Sequence, residues 1–283
     1  MQGAEDLMLH ATSPDLNLTH EIVLGSLRRP DTPRGAVLLM TATLRPPADA
    51  VARADPAARL LDYAAALKFY LAMPATVVDR IVFADNSAGG IAGIRDIVAS
   101  VAHDKAVEIM SFAGNDHPVS AGKAYGEFKL IDIAIAHASL IRADDIVWKT
   151  TGRLKILNLA ALHRAVTRAG VDIACDLHNV PLIGSGRWRG NQRMDLRLFA
   201  FRPAAFAKVY SGIWAGMARF DEATMYATTL AARKSIRVMP RFPVQPMIEG
   251  VSGRHQRNYA APGQRIKAMM RQALRIVLPF LWI

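Results

Sequence analysis

Five consecutive residues, Lys149, Thr150, Thr151, Gly152 and Arg153, combine two cations, two hydroxyls and a glycine. A diphosphate needs its charge offset and its oxygens hydrogen-bonded. Arginine offers a planar fork of donors, lysine a compact charge, and hydroxyls with a closely approaching glycine N–H supply the rest. The chemistry of the set is anion binding on a turn at a strand's end, although an ordinary surface turn with solvated cations uses the same residues. A second anion-friendly set, Gly122, Lys123, Tyr125 and Gly126, stands at an expected helix start, where free N–H groups favour negative charge. A capped helix with a packed tyrosine is the alternative there.

The elements around these sets alternate. Residues 36–44 form a short apolar, β-branched run halted by prolines, and 55–73 read as a helix with Asp55 as cap and Pro56 in its first turn. Strands are expected at 80–85, 106–112 and 145–149, and helices at 89–102, 123–141 and 158–170, the last opened by Asn158. This alternation implies an α/β, Rossmann-like domain with a mostly parallel central sheet. Residues 171–177 follow, then a loop rich in Gly, Arg and Trp at 183–192, a strand with two-residue alternation at 194–202, and helices from Pro203 to about Ala232. In such a sheet ligands bind beyond the carboxyl ends of the strands, which gathers the polar clusters on one edge.

With 283 residues, 52% of them hydrophobic, the chain can bury a substantial core. Cys175 is the single cysteine, which excludes an internal disulfide and a cysteine-built zinc site and fits a reduced compartment. No run resembles an export signal, and none reaches the ~20 apolar residues of a membrane span. The net charge of +11 is uneven: from residue 233 onward ten cations face only Glu249, so the tail carries +9 and the remainder +2. Nucleic acid is therefore not the expected partner, since aromatics interleave with cations only at 186–190. The sequence has no HExxH, no GxSxG and no GxxxxGK[ST], which removes metalloproteases, α/β-hydrolases and the commonest NTPases.

The segments LLMTATLRP, IVFADNSAGG, EIMSFAGND, GKAYGEFKLIDIAIAHASLI and IVWKTTGRLKILN, spread from about Val37 to about Asn158, together resemble bacterial glycosyltransferases of surface-polysaccharide (capsule, O-antigen) clusters. DLRLFAFR and PMIEGVSG give a weaker echo. The resemblance implies a GT-A-type fold and transfer of a sugar from a nucleotide-sugar donor to a glycan or lipid-linked acceptor. It implies that Thr41, Thr43 and Arg45 meet the nucleotide, that Asp85, Asn86 and Ser87 meet its base or ribose, and that Lys123, Tyr125, Gly126 and Glu127 hold donor phosphate or sugar. A base for the acceptor hydroxyl would come from Asp195, Glu249 or Glu127; Asp195 could instead pair with Arg197 or Arg193, and Glu249 could offset nearby arginines.

Many such enzymes hold a divalent metal on an Asp-x-Asp, but the acidic pair Asp144–Asp145 precedes its strand, at the wrong end. The expectation is that Lys149, Thr151, Gly152 and Arg153 bind the diphosphate without metal, with Mg²⁺ or Mn²⁺ on Asp85 or Asp116 left open. A nucleotidyltransferase and a non-catalytic basic membrane- or nucleic-acid-binding protein are the rivals; the former expects a glycine in the loop at 41–50, which has none.

The expected division is an extension at 1–35, a catalytic domain at 36–240 and a basic segment at 241–283. In the last, Ile266, Met269, Met270, Ala273, Leu274 and Val277 share one helical face, and Lys267, Arg271 and Arg275 the other. Residues 264–283, ending in PFLWI, suit a helix on an anionic membrane surface, with the protein peripheral on the inner, cytoplasmic face. An amphipathic core helix is the alternative.

Overall fold

The computed structural model describes residues 16–27, 35–47, 51–117, 119–179, 191–217, 219–252, 259, 261–278 and 282. The elements are β1 (Thr19–Leu24), β2 (Ala36–Ala42), α1 (Pro56–Leu71), β3 (Val78–Asp85), α2 (Ala92–Ala99), β4 (Ala106–Ser111) and α3 (Lys123–His137). Next come β5 (Val147–Thr151), β6 (Leu154–Ile156), α4 (Leu159–Ala169), β7 (Ile173–Ala174), β8 (Leu177–His178), β9 (Arg193–Met194) and β10 (Leu198–Phe201). The chain continues through α5 (Pro203–Val209), α6 (Glu222–Ala232), β11 (Val238–Met239), β12 (Ile248–Gly250) and α7 (Pro262–Val277).

The fold is α/β. Its main sheet runs β1-β4-β3-β2-β5-β10-β7-β11 among the described residues. The centre, β4-β3-β2-β5, is parallel, whereas β1 joins β4, and β10 joins both β5 and β7, in antiparallel fashion. Every residue of β2, β3 and β4 is buried, because helices cover both faces. Leu38 and Met40 of β2 pack with Tyr63, Leu67 and Tyr70 of α1, Ile94 of α2 and Leu162 of α4. Their neighbours Val37 and Leu39 point the other way, into a layer with Phe128 and Ile131 of α3, Phe206 of α5 and Met225 of α6. That two-residue alternation is the strand period made visible by two separate cores.

Two parts of the expected division are joined to the sheet. Thr19–Leu24, within the extension, is an edge strand paired with β4 from Ser111 back to Ala106. Past residue 240, Phe242 is buried and stacks on Trp148 at 5.7 Å, and β12 pairs with β6. Asn158 does not cap α4 with its side chain. Its Nδ2 instead donates to the Gln245 carbonyl (2.9 Å) and its Oδ1 accepts from the Met247 N–H (2.9 Å), fastening the later segment beside β6.

Candidate functional site

The strand order reverses at β2. From there the chain steps outward through β3 and β4, then returns to place β5 on the other side. A crevice beyond the carboxyl ends of β2 and β5 is the place where such a sheet takes ligands. Thr41 and Thr151 are register partners there.

KTTGR lies at this point, but not wholly as a turn. Lys149, Thr150 and Thr151 continue β5, as β-branched threonines favour, and the turn begins at Gly152. Gly152 donates its N–H to the Thr41 carbonyl at 2.8 Å. A Cβ on it would stand 2.9 Å from that oxygen and 3.1 Å from the Tyr63 ring, so only glycine lets the turn close against β2.

The two cations have opposite fates. Lys149 is fully buried, its Nζ bonded to the Leu196 carbonyl and to Glu127 Oε1, both at 2.5 Å, so its assignment as a diphosphate ligand is corrected. It is a strand residue whose charge is spent inside the wall. Arg153 is the reverse. Its Nε and Nη1 are shielded from water and have no hydrogen-bond partner, and its guanidinium lies 5.8 Å from the centre of the Tyr63 ring. Shielded donors without acceptors are costly unless something supplies oxygens.

A second arginine, not singled out by sequence, stands at the same ring. Arg59 lies 5.7 Å from the Tyr63 ring centre and donates to the carbonyls of Thr43 (2.7 Å) and Arg53 (3.1 Å) and to the Tyr63 hydroxyl (3.1 Å). Burial pushes its pKa down, and the charge of Arg153 adds to that. The signal was present: Arg59 and Tyr63, four apart, share the helix face of Leu67 and Tyr70, and an arginine in an apolar stripe needs a reason.

Glu127, from the second turn of α3, accepts from both Lys149 (2.5 Å) and the Thr41 hydroxyl (2.6 Å). Its side chain keeps 24% exposure, so the carboxylate is anchored and still reachable. The other two carboxylates offered as bases are engaged elsewhere. Asp195 is bound by the guanidinium of Arg197, including Nε at 2.9 Å, and by its N–H at 3.0 Å. Burial pushes the Asp195 pKa up, but Arg197, with His178 nearby, reverses this and holds it well below the carboxylate range, which makes it a weak base. Glu249 pairs with Lys155 across β12 and β6 at 3.0 Å.

Several residues assigned to the nucleotide build walls instead. Asp85 is buried and accepts from the Leu44 N–H (2.7 Å), the Gly89 N–H (2.9 Å) and the hydroxyls of Ser87 (2.6 Å) and Ser111 (2.8 Å). Asn86, also buried, accepts from the Thr43 hydroxyl at 2.7 Å, and Ser87 accepts from the Arg45 N–H at 2.9 Å. These bonds zip the loop after β2 to the loop after β3 and leave the Arg45 side chain exposed on the rim. A divalent ion finds a poor donor set here: Asp85 is saturated, Asp116 is bonded to Lys129, and the described residues contain no group of three metal-ligating side chains. At the far end of the sheet Asp145 is held by Arg80 through two bonds of 2.8 Å, a structural pair away from the crevice.

Tyr125 meets Trp214 edge-on at 5.1 Å and His117 at 5.2 Å. Gly126 is required by that histidine, since a Cβ would stand 2.4 Å from its ring. Burial lowers the His117 pKa, and its Nδ1 is buried without a partner; sequence reading passed over it. The side chain of Lys123 and the loop 183–190 lie outside the described residues.

The tail helix packs its cationic face, not its apolar one, against the body, which is the reverse of the core-helix alternative. Arg275 is buried: its guanidinium binds both oxygens of Asp176, the Phe242 carbonyl (2.7 Å) and Gln245 Oε1 (3.0 Å). The apolar residues face out instead, with Met269 72%, Ile276 71% and Val277 71% exposed. Trp282 packs against the core, 6.4 Å from Tyr226, and its carbonyl accepts from the Asn179 N–H, so it is no part of that outer face.

No protein-family model and no curated protein matches the chain. Among solved structures it is similar to a 4-diphosphocytidyl-2C-methyl-D-erythritol synthase, at 13% identity and TM-score 0.41, over 84% of this chain and 100% of that one. A putative nucleotide-diphospho-sugar transferase from Desulfovibrio desulfuricans G20 gives 14% and 0.40, over 74% and 80%. A mannosyltransferase from Pyrobaculum calidifontis, in complex with GDP-Man and Mn²⁺, gives 13% and 0.43, over 98% and 73%. Scores this low assign neither a family nor an activity, and the functional reading rests on the residues of the crevice.

Proposed function

We propose that the chain is a glycosyltransferase of GT-A type, moving a sugar from a nucleotide-sugar donor to a glycan or lipid-linked acceptor in bacterial surface-polysaccharide synthesis. The observation that carries this reading is the Arg153 guanidinium, shielded from water and without an acceptor, paired with Arg59 on a glycine turn at the switch point of the sheet. Arg153 offers its unpaired donors to a phosphate of a nucleoside diphosphate, and Arg59, whose own hydrogen bonds go to Thr43, Arg53 and Tyr63, adds positive charge at the same ring. As the bond from the anomeric carbon to the diphosphate oxygen breaks, charge grows on that oxygen, and prepositioned guanidinium groups stabilise it at no further cost in ordering. Glu127 takes the proton of the acceptor hydroxyl as its oxygen bonds to the anomeric carbon. Lys149 and Thr41 keep that carboxylate aimed, and its residual exposure admits the acceptor.

The saturated state of Asp85 and the pairing of Asp116 favour a reaction without a divalent ion. The outward apolar face of α7 and the +9 charge of the tail favour an enzyme resting on the anionic, cytoplasmic face of a membrane. The test is product analysis with UDP-, GDP- and ADP-sugars, each with and without EDTA, in a membrane extract that supplies acceptors. Release of the nucleoside diphosphate with label passing to glycan or lipid, unchanged by EDTA, is the expected result. Strict Mg²⁺ or Mn²⁺ dependence overturns the metal-free part. Pyrophosphate release from a nucleoside triphosphate and a sugar phosphate makes the chain a nucleotidyltransferase.

A further inference from the structure

Helix α7 is docked by Arg275 and Gln272 and presents its apolar side. Ile266, Met269, Met270, Ala273, Ile276 and Val277 fall three, four, seven, ten and eleven positions beyond the first, which is one stripe of a helix, and all six are exposed. The other side of α7 meets the segment just after β7, where Arg275 binds Asp176. There Arg193, Arg197, Arg241, Arg271 and Arg275 surround Asp176 and Asp195, five guanidinium groups against two carboxylates among the described residues.

Both carboxylates are already taken. Asp176 is held by Arg275 and accepts from the Phe242 N–H at 3.3 Å, and Asp195 is held by Arg197, whose guanidinium also stacks on Tyr259 at 5.1 Å. The guanidinium groups of Arg193 and Arg271 make no hydrogen bond to a described residue, and both side chains are half-buried, sheltered but reachable. Burial and the charges of Arg197 and Arg193 push the Arg271 pKa down, and Asp195 and Asp176 offset this only in part.

An apolar stripe and a cationic recess therefore lie on opposite flanks of one helix, a separation of about 10 Å. That is the plan of an amphiphile, with chains on one side and a charged head on the other. We propose that Arg193 and Arg271, backed by Arg197, bind the phosphate of a membrane amphiphile whose chains meet the outer stripe of α7. Arginine forks match the oxygens of a phosphate bidentately, which favours a phosphate headgroup over a dispersed anionic surface. The recess adjoins the transfer crevice, since the Thr151 N–H donates to the Arg197 carbonyl at 3.1 Å. Resting on the transfer reading above, this makes the phosphate that of the acceptor lipid.

The experiment is flotation of the full chain with phosphatidylcholine vesicles containing phosphatidic acid, compared with vesicles brought to equal surface charge with phosphatidylserine. Wild type is expected to prefer phosphatidic acid about tenfold, R193Q/R271Q to lose that preference, and R271K to fall between, with melting temperatures unchanged. M269Q/I276Q is expected to lose binding to both vesicles. Equal binding to the two vesicles, or a preference that survives R193Q/R271Q, overturns the proposal. A melting shift with inorganic phosphate in the absence of vesicle binding also overturns it, by assigning the recess to a soluble anion. The nucleotide screen on wild type separates the two readings: vesicle preference without any nucleotide shift removes the transferase and leaves the lipid site, and the reverse leaves the transferase alone.

Discussion

The Gly152 turn and the inner side of α7 both bring arginines to the carboxyl edge of the same sheet, and they use them in opposite ways. Arg275 makes four hydrogen bonds to Asp176, Phe242 and Gln245, so it serves as a structural rivet. Arg153 has two shielded donors and no acceptor. A buried arginine with its full complement of acceptors reads as architecture, and one held by shape alone reads as a ligand group. The same contrast separates Lys149 from Arg153 within five residues.

Four changes break or sharpen that comparison. The largest effect is expected for Asp176→Asn. Removing one member of a buried ion pair leaves the other uncompensated, at about 3–5 kcal/mol, measured by denaturant unfolding and by loss of hydrogen-exchange protection in α7. Arg153→Ala should do the opposite, leaving the unfolding midpoint unchanged while transfer falls about 10²–10³-fold, as for the loss of one prepositioned donor. Gly152→Ala comes next, at about 1–3 kcal/mol of stability, because the new methyl is driven onto the Thr41 carbonyl; a lowered midpoint with weakened nucleotide binding is the expected pair of results.

The smallest effect concerns acid. Arg197 holds the Asp195 pKa below its unfolded value of about 4, so the stability from this pair is present above that pH and declines as pH falls through the folded pKa. Asp195→Asn should therefore lower stability at pH 7 and flatten the acid limb, as read from unfolding free energies between pH 2 and 7. An acid limb identical to that of wild type would show that Asp195 is not held by Arg197 in solution.

Much of the sheet was legible because its parallel centre writes apolar runs between helices of the right length, from β2 through α4. What sequence hid was orientation. The two faces of α7 are plain in its spacing, but periodicity does not say which face meets the body; that depended on Asp176, an acid far away in the chain. The end of β5 was placed early because KTTGR looks like a polar turn, whereas antiparallel pairing of Thr150 with Leu198 carries the strand on to Thr151. β1 escaped notice because an edge strand needs little apolar content, and four of its six positions are exposed. The crevice itself was located by the alternation of elements, while its second arginine, Arg59, was concealed in an otherwise apolar helix face.

The most direct test of the central claim, that Arg153 with Arg59 forms a diphosphate site, is thermal unfolding with UDP, GDP and ADP in the presence of EDTA, on wild type and Arg153→Ala. A nucleotide at 100 times its dissociation constant stabilises by about 2.7 kcal/mol. The account predicts that one nucleotide raises the melting temperature of wild type and leaves Arg153→Ala unmoved. An equal shift in both proteins, or no shift in either, contradicts it.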